Sequence, residues 1–246
     1  MKRIASMMLA LLTAGITFGE ELGTTSAKPG AAAQQLHRER TEWTNVWMPN
    51  ADKSDKPRVL LIGDSICQGY TGTVEMALAG RAYVARLSTS RGIGDPVLMD
   101  EIRALVRHHQ FAVIHFNNGL HAIAYTAAEY EASLKQVMDM LRKEGQGAKL
   151  VLSTSTFVQP GYPSWKSDDW NRQMVESRNE IVHKLAKTEQ FPVDDLCAVT
   201  KDHPEYYVGD KIHFNTNGYS MLGGQVAASV EKALSDNPQK QERASQ

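Results

Sequence analysis

The segment 58–65, which reads Arg-Val-Leu-Leu-Ile-Gly-Asp-Ser, constrains the fold more than any other stretch of this chain. A short apolar run ends abruptly at Gly63, and a segment compatible with a helix follows Ser65. Continuous apolar runs of this length are typical of strands that are buried on both faces of a parallel sheet. The pattern therefore predicts a buried strand that delivers Ser65 to the N-terminus of a helix, where the helix dipole supports a nucleophile.

Strand and helix signals alternate along the rest of the chain. The predicted strands are residues 58–62, 82–87, 111–116, 149–153 and 191–195. Asp95-Pro96 is typical of an N-cap and first helical residue, and Thr126–Glu129 is typical of a capping box, so each opens a helix. Further helices are predicted at 168–188 and 217–234. Strands separated by helices predict an α/β fold with a five-stranded parallel sheet that helices cover on both faces.

The length of 246 residues, of which 42% are hydrophobic, suits one domain of about 200 residues. We place this domain at residues 57–234 and a disordered tail at 235–246, because the tail is polar and has no hydrophobic periodicity. Residues 28–56 form a polar N-terminal arm. Three apolar side chains are expected to attach the arm to the domain: Trp43, Val46 and Trp47.

The start of the chain has the pattern of a secretory signal peptide. Lys2 and Arg3 precede a short apolar segment, which predicts a signal peptide at 1–27 that is cleaved between about residues 19 and 27. The alternative is an uncleaved N-terminal anchor. We expect export to the periplasm or the cell exterior, without stable membrane insertion after cleavage.

Charge and cysteine content exclude several function classes. The 27 basic and 28 acidic side chains nearly cancel, and no basic stripe is present, which argues against a nucleic-acid partner. Cys67 and Cys197 either pair in an oxidising compartment or remain two isolated buried thiols. Neither has the spacing of a metal site, and we expect no metal and no cofactor.

Three residues have the chemistry of a serine nucleophile and its base. Ser65 supplies a hydroxyl, and His213 could accept its proton and later donate it to a leaving alcohol. Asp210 lies three residues before His213, so one turn of chain can hold both and fix the imidazole tautomer. The residues therefore predict a serine esterase with Ser65, His213 and Asp210 as its catalytic groups.

Hydrogen-bond donors for an oxyanion are also expected near Ser65. Ligands of parallel sheets bind at the carboxyl ends of the strands, where Ser65 and the segments that follow the second and third predicted strands meet. The candidate donors are the backbone N–H of Ser65, the backbone N–H of Gly92 or Gly94, and the side-chain amide of Asn117 or Asn118.

These motifs resemble the SGNH/GDSL hydrolase superfamily across about residues 57–234. The resemblance rests on Gly63-Asp64-Ser65-Ile66, a glycine near position 92, Asn117 and Asp210-x-x-His213. It implies a flavodoxin-like three-layer α/β/α sandwich and metal-free hydrolysis or transfer of acyl esters. It also implies that Ser65 is the nucleophile, His213 the base and Asp210 its partner, with Gly92 and an asparagine completing the oxyanion hole.

The third block of the motif departs from the family's usual Gly-x-Asn-Asp. Here it is His-Phe-Asn-Asn-Gly-Leu-His at 115–121, which looks like a subgroup variant. Asn117 is favoured as the donor because it lies nearer the strand end, with Asn118 as its competitor. Gly94 competes with Gly92 in the same way. His121 and Asp64 are further candidates for contact with substrate.

The resulting functional hypothesis is an exported esterase that removes small acyl groups, with acetyl favoured, from a carbohydrate or a similar alcohol. One alternative is a sugar O-acyltransferase with the same triad. Another is a non-catalytic carbohydrate-binding module on this fold. In the esterase hypothesis, Trp165 and Trp170 could stack on a sugar ring of the substrate. A nucleotide-binding protein of similar fold is disfavoured, because no GxGxxG or GxxxxGK[ST] motif follows a predicted strand.

Overall fold

The computed structural model describes residues 36–163 and 166–236. Its strands are β1 Thr44–Trp47, β2 Arg58–Gly63, β3 Tyr83–Thr89, β4 Val113–Phe116, β5 Lys149–Ser153 and β6 Val193–Asp194. Its helices are α1 Ser65–Ala77, α2 Pro96–His108, α3 Ala127–Glu144, α4 Asp168–Glu189, α5 Leu196–Thr200 and α6 Thr216–Ser235. The predicted signal peptide, Trp165 and most of the predicted tail lie outside the described residues.

The six strands form one sheet in the order β1-β3-β2-β4-β5-β6. All neighbours pair in parallel except β1, which is antiparallel to β3. Gly63 at the end of β2 pairs with Ser88, and Ile62 pairs with Phe116 at the end of β4. The register therefore brings the loops that follow β2, β3 and β4 to one edge of the sheet.

Helices cover both faces of the sheet, which gives the predicted three layers. Leu60 and Ile62 of β2 pack with α2, α3 and α4, whereas Val59 and Leu61 pack with α1 and α6. All six residues of β2 are buried. The strand is apolar without alternation because each of its faces contributes to a core.

The sheet has six strands rather than the predicted five, and it is mixed rather than wholly parallel. The additional strand is β1, which lies in the predicted arm. Its four residues are all exposed, so it has no buried face that would produce an apolar pattern. Backbone pairing with β3 holds it, and Val46 and Trp47 remain 49% and 54% exposed instead of packing on the domain.

Candidate active site

Ser65 is the first residue of α1, directly after the buried strand β2. Asp64 is the N-cap: its Oδ1 accepts a hydrogen bond of 2.9 Å from the N–H of Ile66. Gly63 packs closely on the first turn of the helix, since a Cβ there would lie 2.5 Å from the Cβ of Cys67. The Gly-Asp-Ser sequence thus serves a sharp strand-to-helix turn that leaves the Ser65 hydroxyl half-buried at the edge of the sheet.

His213 links Ser65 to Asp210 through two short hydrogen bonds. The Ser65 Oγ lies 2.7 Å from His213 Nε2, and His213 Nδ1 lies 2.7 Å from Asp210 Oδ2. With the proton on Nδ1, the imidazole donates to the carboxylate and Nε2 is free to accept from the hydroxyl. The three predicted residues therefore form one continuous hydrogen-bonded line.

A tight loop fixes Asp210 and His213 relative to each other. Asp210 Oδ1 accepts the backbone N–H groups of Ile212 at 3.1 Å and His213 at 2.9 Å, and Lys211 between them has a left-handed φ of 69°. An antiparallel bridge between Tyr207 and Phe214 closes the loop. The spacing of three residues is thus what this turn requires, since the same carboxylate both orders the backbone and orients the imidazole.

The carboxyl of Asp210 is held in its charged form. Partial burial raises its pKa, but the hydrogen bonds from the backbone and ring of His213 and the backbone of Ile212 outweigh that effect. The net pKa of Asp210 is therefore below its ordinary value. A carboxylate that stays ionised can stabilise an imidazolium as it forms on His213.

The two asparagines that follow β4 have different surroundings. Asn118 is 3% exposed, and its Nδ2 donates to the Arg91 carbonyl at 2.8 Å, so it braces the loop that follows β3. Asn117 is half-buried, and its Nδ2 donates to the Ser153 carbonyl at 2.9 Å. Its second contact, to Ser155 Oγ, is longer at 3.4 Å. Asn117 is thus the more exposed of the two, and its amide can donate to a ligand in place of the long contact to Ser155.

Gly92 lies in a crowded part of the same loop. A Cβ at this position would lie 2.8 Å from the His121 carbonyl oxygen and 2.7 Å from the Tyr125 ring. The segments that follow β3 and β4 can therefore touch only because residue 92 has no side chain. Gly94 is half-buried beside Asp95, which is the N-cap of α2.

His121 is paired with the N-terminal arm. Its Nδ1 lies 2.6 Å from Glu39 Oε1, and its ring meets Trp43 edge-on at a centroid distance of 6.4 Å. Burial lowers the pKa of His121, but the hydrogen bond with Glu39 and the negative charges of Asp64 and Glu39 raise it above 6.5 overall. Glu39 is 82 residues from His121 in sequence, and no local pattern pointed to this pair.

The arm also fixes the loop that carries Gly92. The backbone carbonyl of Trp43 accepts a hydrogen bond from the backbone N–H of Ser90 at 3.1 Å, and the backbone N–H of Trp43 donates to Ser90 Oγ at 2.9 Å. Arg91 lies 2.7 Å from Glu42 of the arm and 3.0 Å from Glu101 of α2. These contacts, which the sequence did not predict, attach the arm to the loop that carries Gly92.

Other polar residues near this edge have structural partners. His115 of β4 is fully buried and lies 2.9 Å from Asp194 of β6, whose other oxygen accepts from Gln225. Arg178 of α4 is buried and donates to the carbonyls of Ala122 and Tyr125, which supports the turn after His121.

Trp170 lies in the first turn of α4 and packs partly on the core, with the Lys166 ammonium 4.6 Å from its ring centroid. Cys67 and Cys197 are free thiols. Burial raises the pKa of Cys67 to about 12 and that of Cys197 to about 11, so neither is a reactive thiolate at neutral pH.

Within residues 36–163 and 166–236, no group of three or more His, Cys, Asp or Glu side chains could hold a metal ion. No helix in the same part of the chain is long and apolar enough to cross a membrane.

Comparison with known proteins adds a family match. The model of the GDSL-like lipase/acylhydrolase family matches residues 61–221, which include Ser65, Asp210 and His213. No curated protein matches the chain.

Several solved structures are similar in fold. A GDSL-like lipase from Bacteroides thetaiotaomicron has 16% sequence identity and a TM-score of 0.57, with 72% of this chain and 88% of that chain covered. The M. smegmatis aryl esterase has 17% sequence identity and a TM-score of 0.60, with 72% of this chain and 99% of that chain covered. The C-terminal catalytic domain of a peptidoglycan O-acetyltransferase from Streptococcus pneumoniae has 17% sequence identity and a TM-score of 0.53. The match covers 72% of this chain and 94% of that chain.

Proposed function

The chain belongs to the GDSL-like lipase/acylhydrolase family and is a carboxylic-ester hydrolase, and from this premise we propose that it is an exported serine esterase that deacylates carbohydrates through an acyl-enzyme on Ser65. The observation that carries the proposal is the line from Ser65 Oγ through His213 to Asp210, with two hydrogen bonds of 2.7 Å. A hydroxyl, a base and an orienting carboxylate in this order are the parts of a serine nucleophile.

In the first half of the reaction, the Ser65 oxygen attacks the ester carbonyl carbon while His213 Nε2 takes the hydroxyl proton. The carbonyl π electrons move to oxygen and form a tetrahedral oxyanion. When this intermediate collapses, the bond to the alcohol oxygen breaks and His213 gives its proton to the departing alcohol. Asp210 keeps Nδ1 protonated and stabilises the imidazolium throughout.

In the second half, water replaces the alcohol. His213 takes a proton from the water while the water oxygen attacks the carbonyl carbon of the acyl-enzyme. The bond between Ser65 and the acyl group then breaks, and His213 returns the proton to the Ser65 oxygen. A sugar hydroxyl could replace water at this step and would make the enzyme an acyltransferase. Product analysis with an added sugar acceptor distinguishes the two reactions.

The oxyanion is stabilised by three donors from three loops. The Ser65 N–H belongs to the first helical turn, where N–H groups have no acceptor within the helix. We assign the second donor to the Gly92 N–H and the third to Asn117 Nδ2. Removal of one such donor typically lowers kcat by about 10²–10³-fold.

We propose a small acyl group because the chain is similar in fold to the catalytic domain of a peptidoglycan O-acetyltransferase. Export is proposed from the basic and apolar pattern at the start of the chain.

The test is hydrolysis of p-nitrophenyl esters by the wild type and Ser65→Ala. The wild type should hydrolyse the acetate, and the variant should fall to background. The value of kcat/KM should decrease from acetate to butyrate to octanoate if the acyl site is small. Equal activity of the two proteins would remove Ser65 as the nucleophile, and a preference for octanoate would overturn the small-acyl assignment.

A further inference from the structure

A second concave site lies at the amino ends of β2 and β3, the opposite end of the strands from Ser65. We name it the edge groove: a cavity of about 340 Å³ with aromatic walls, a polar rim and a buried apolar floor. Its lining includes Trp47, Asn50, Lys56, Glu75, Tyr83 and Val84. The volume lies within the range of about 300–1,000 Å³ that is typical of small-ligand sites.

The edge groove is separate from the candidate active site. Tyr83 begins β3, whereas Ser65 follows the carboxyl end of the neighbouring parallel strand β2. Glu75 lies on α1 ten residues after Ser65, which is roughly 15 Å along the helix axis. One small ester therefore cannot occupy both sites, but a polymer can.

Both aromatic walls are held in place by neighbouring side chains. The indole of Trp47 is 54% exposed, and its Nε1 donates to Glu75 Oε1 at 3.3 Å. The Tyr83 hydroxyl donates to Asp55 Oδ1 at 2.8 Å, and the Lys56 ammonium lies 5.2 Å from the Tyr83 ring centroid. An exposed indole fixed in this way presents a flat apolar surface that loses little conformational freedom when a ligand binds.

The polar rim indicates an uncharged ligand rich in hydroxyl groups. Lys56 and Glu75 carry opposite charges that cancel, so the rim has no net attraction for either an anion or a cation. A hydroxyl group both donates and accepts hydrogen bonds, so it can pair with the Glu75 carboxylate, the Lys56 ammonium and the Asn50 amide. A sugar ring combines such hydroxyls with an apolar face that can stack on Trp47.

We propose that the edge groove binds a sugar unit of a neutral polysaccharide and so holds a polymeric substrate on the enzyme while Ser65 acts elsewhere on the same chain. This inference rests on the proposed function, because it specifies that the carbohydrate deacylated at Ser65 is a polymer. Binding at a second site raises the local concentration of ester groups, so it lowers KM for the polymer without changing kcat.

The binding test uses Ser65→Ala as the background, so that turnover cannot alter the ligand. Migration in native gels that contain xylan, glucomannan, galactomannan or mixed-linkage β-glucan measures affinity. At least one polysaccharide should retard the protein, and adding Trp47→Ala or Glu75→Ala should weaken that binding about tenfold or more. Val46→Ala is the matched control, because Val46 is an equally exposed neighbour outside the groove lining.

The kinetic test compares the acetylated form of the retarding polysaccharide with p-nitrophenyl acetate. Trp47→Ala should raise KM for the polymer about tenfold and leave the kinetics on the small ester unchanged. No retardation by any of the four polysaccharides, or retardation that survives Trp47→Ala, would overturn the groove assignment. Loss of small-ester turnover in Ser65→Ala is measured separately, so the two proposals fail independently.

Discussion

The single carboxylate of Asp210 has two functions, so we expect substitution of Asp210 to affect catalysis more than any substitution other than that of Ser65. One oxygen orders the backbone N–H groups of Ile212 and His213, and the other accepts from the His213 ring. Asp210→Asn keeps the first function but places an N–H donor against Nδ1. The ring then favours the tautomer with its proton on Nε2, which cannot accept from Ser65.

We therefore expect Asp210→Asn to lower kcat for p-nitrophenyl acetate by about 10²–10⁴-fold with little change in KM. Steady-state kinetics measures this. Glu205→Gln is the control, because Glu205 lies in the same connection and pairs with His203 at 2.8 Å. An Asp210→Asn enzyme with nearly wild-type kcat would show that His213 needs no carboxylate partner.

His121 and Glu39 predict a pH-dependent contribution to stability. The folded-state pKa of His121 is raised above 6.5, so protonated His121 favours the folded state. This contribution is present below pH 6.5 and is lost as the pH rises through the folded-state pKa. Because the two side chains are 20% and 42% exposed, it should amount to less than about 1 kcal/mol.

Thermal unfolding of the wild type and Glu39→Gln at about pH 5.5 and about pH 8.5 measures the effect. At the lower pH, the Tm of the wild type should be higher than that of Glu39→Gln. This difference between the two proteins should be smaller at the higher pH. A difference that grows with pH would contradict a raised pKa at His121.

At the scale of secondary-structure elements, β1 and the residues before it hold the loop that follows β3. Glu42 and Arg91 are only 17% and 18% exposed, and Arg91 adjoins the proposed oxyanion donor Gly92. Loss of this ion pair should therefore alter the position of the loop more than the stability of the fold. We therefore expect the arm to affect the reaction through Arg91.

We expect Glu42→Gln to lower kcat for p-nitrophenyl acetate by about tenfold, less than the loss of an oxyanion donor itself. KM and Tm should change little. Glu131→Gln is the control, since Glu131 is 42% exposed and pairs with Lys184 on the surface. An unchanged kcat in Glu42→Gln would mean that hydrogen bonds between Trp43 and Ser90 suffice to place the loop.

The elements that could be predicted are those fixed by contacts between residues close in sequence. Asp95-Pro96 and the Thr126–Glu129 capping box each open the helix that the sequence predicted, because those contacts are made within one turn of chain. The Asp210–His213 turn is local for the same reason. In contrast, β1 is held by backbone pairing with a strand about 40 residues away, and its exposed side chains give no periodic pattern.

At the scale of the whole molecule, a polar cluster centred on the buried pair His115 and Asp194 joins two strands to the exposed Gln225 of the last helix. Asp194 is 1% exposed and lies 2.9 Å from His115 of β4 and 2.7 Å from Gln225 of α6. These partners are 79 and 31 residues away, so the sequence indicated polar residues without showing that they meet. Buried polar groups are costly to leave unpaired.

Asp194→Ala should lower the free energy of unfolding by about 1–3 kcal/mol, because it leaves the buried His115 without its acceptor. Chemical denaturation measures this. Asp139→Ala is the control: Asp139 is 50% exposed and pairs with Lys135 on the surface, so its loss should cost less than about 1 kcal/mol. Equal effects of the two variants would show that the buried pair does not stabilise the fold.

The central claim is that Ser65 forms the covalent bond to the acyl group. Methanesulfonyl fluoride reacts with activated serine hydroxyls, and peptide mapping by mass spectrometry locates the adduct. The account predicts a single adduct on the peptide that contains Ser65, formed far more slowly in His213→Ala and absent in Ser65→Ala. An adduct on another residue, or labelling of Ser65→Ala at the wild-type rate, would contradict it.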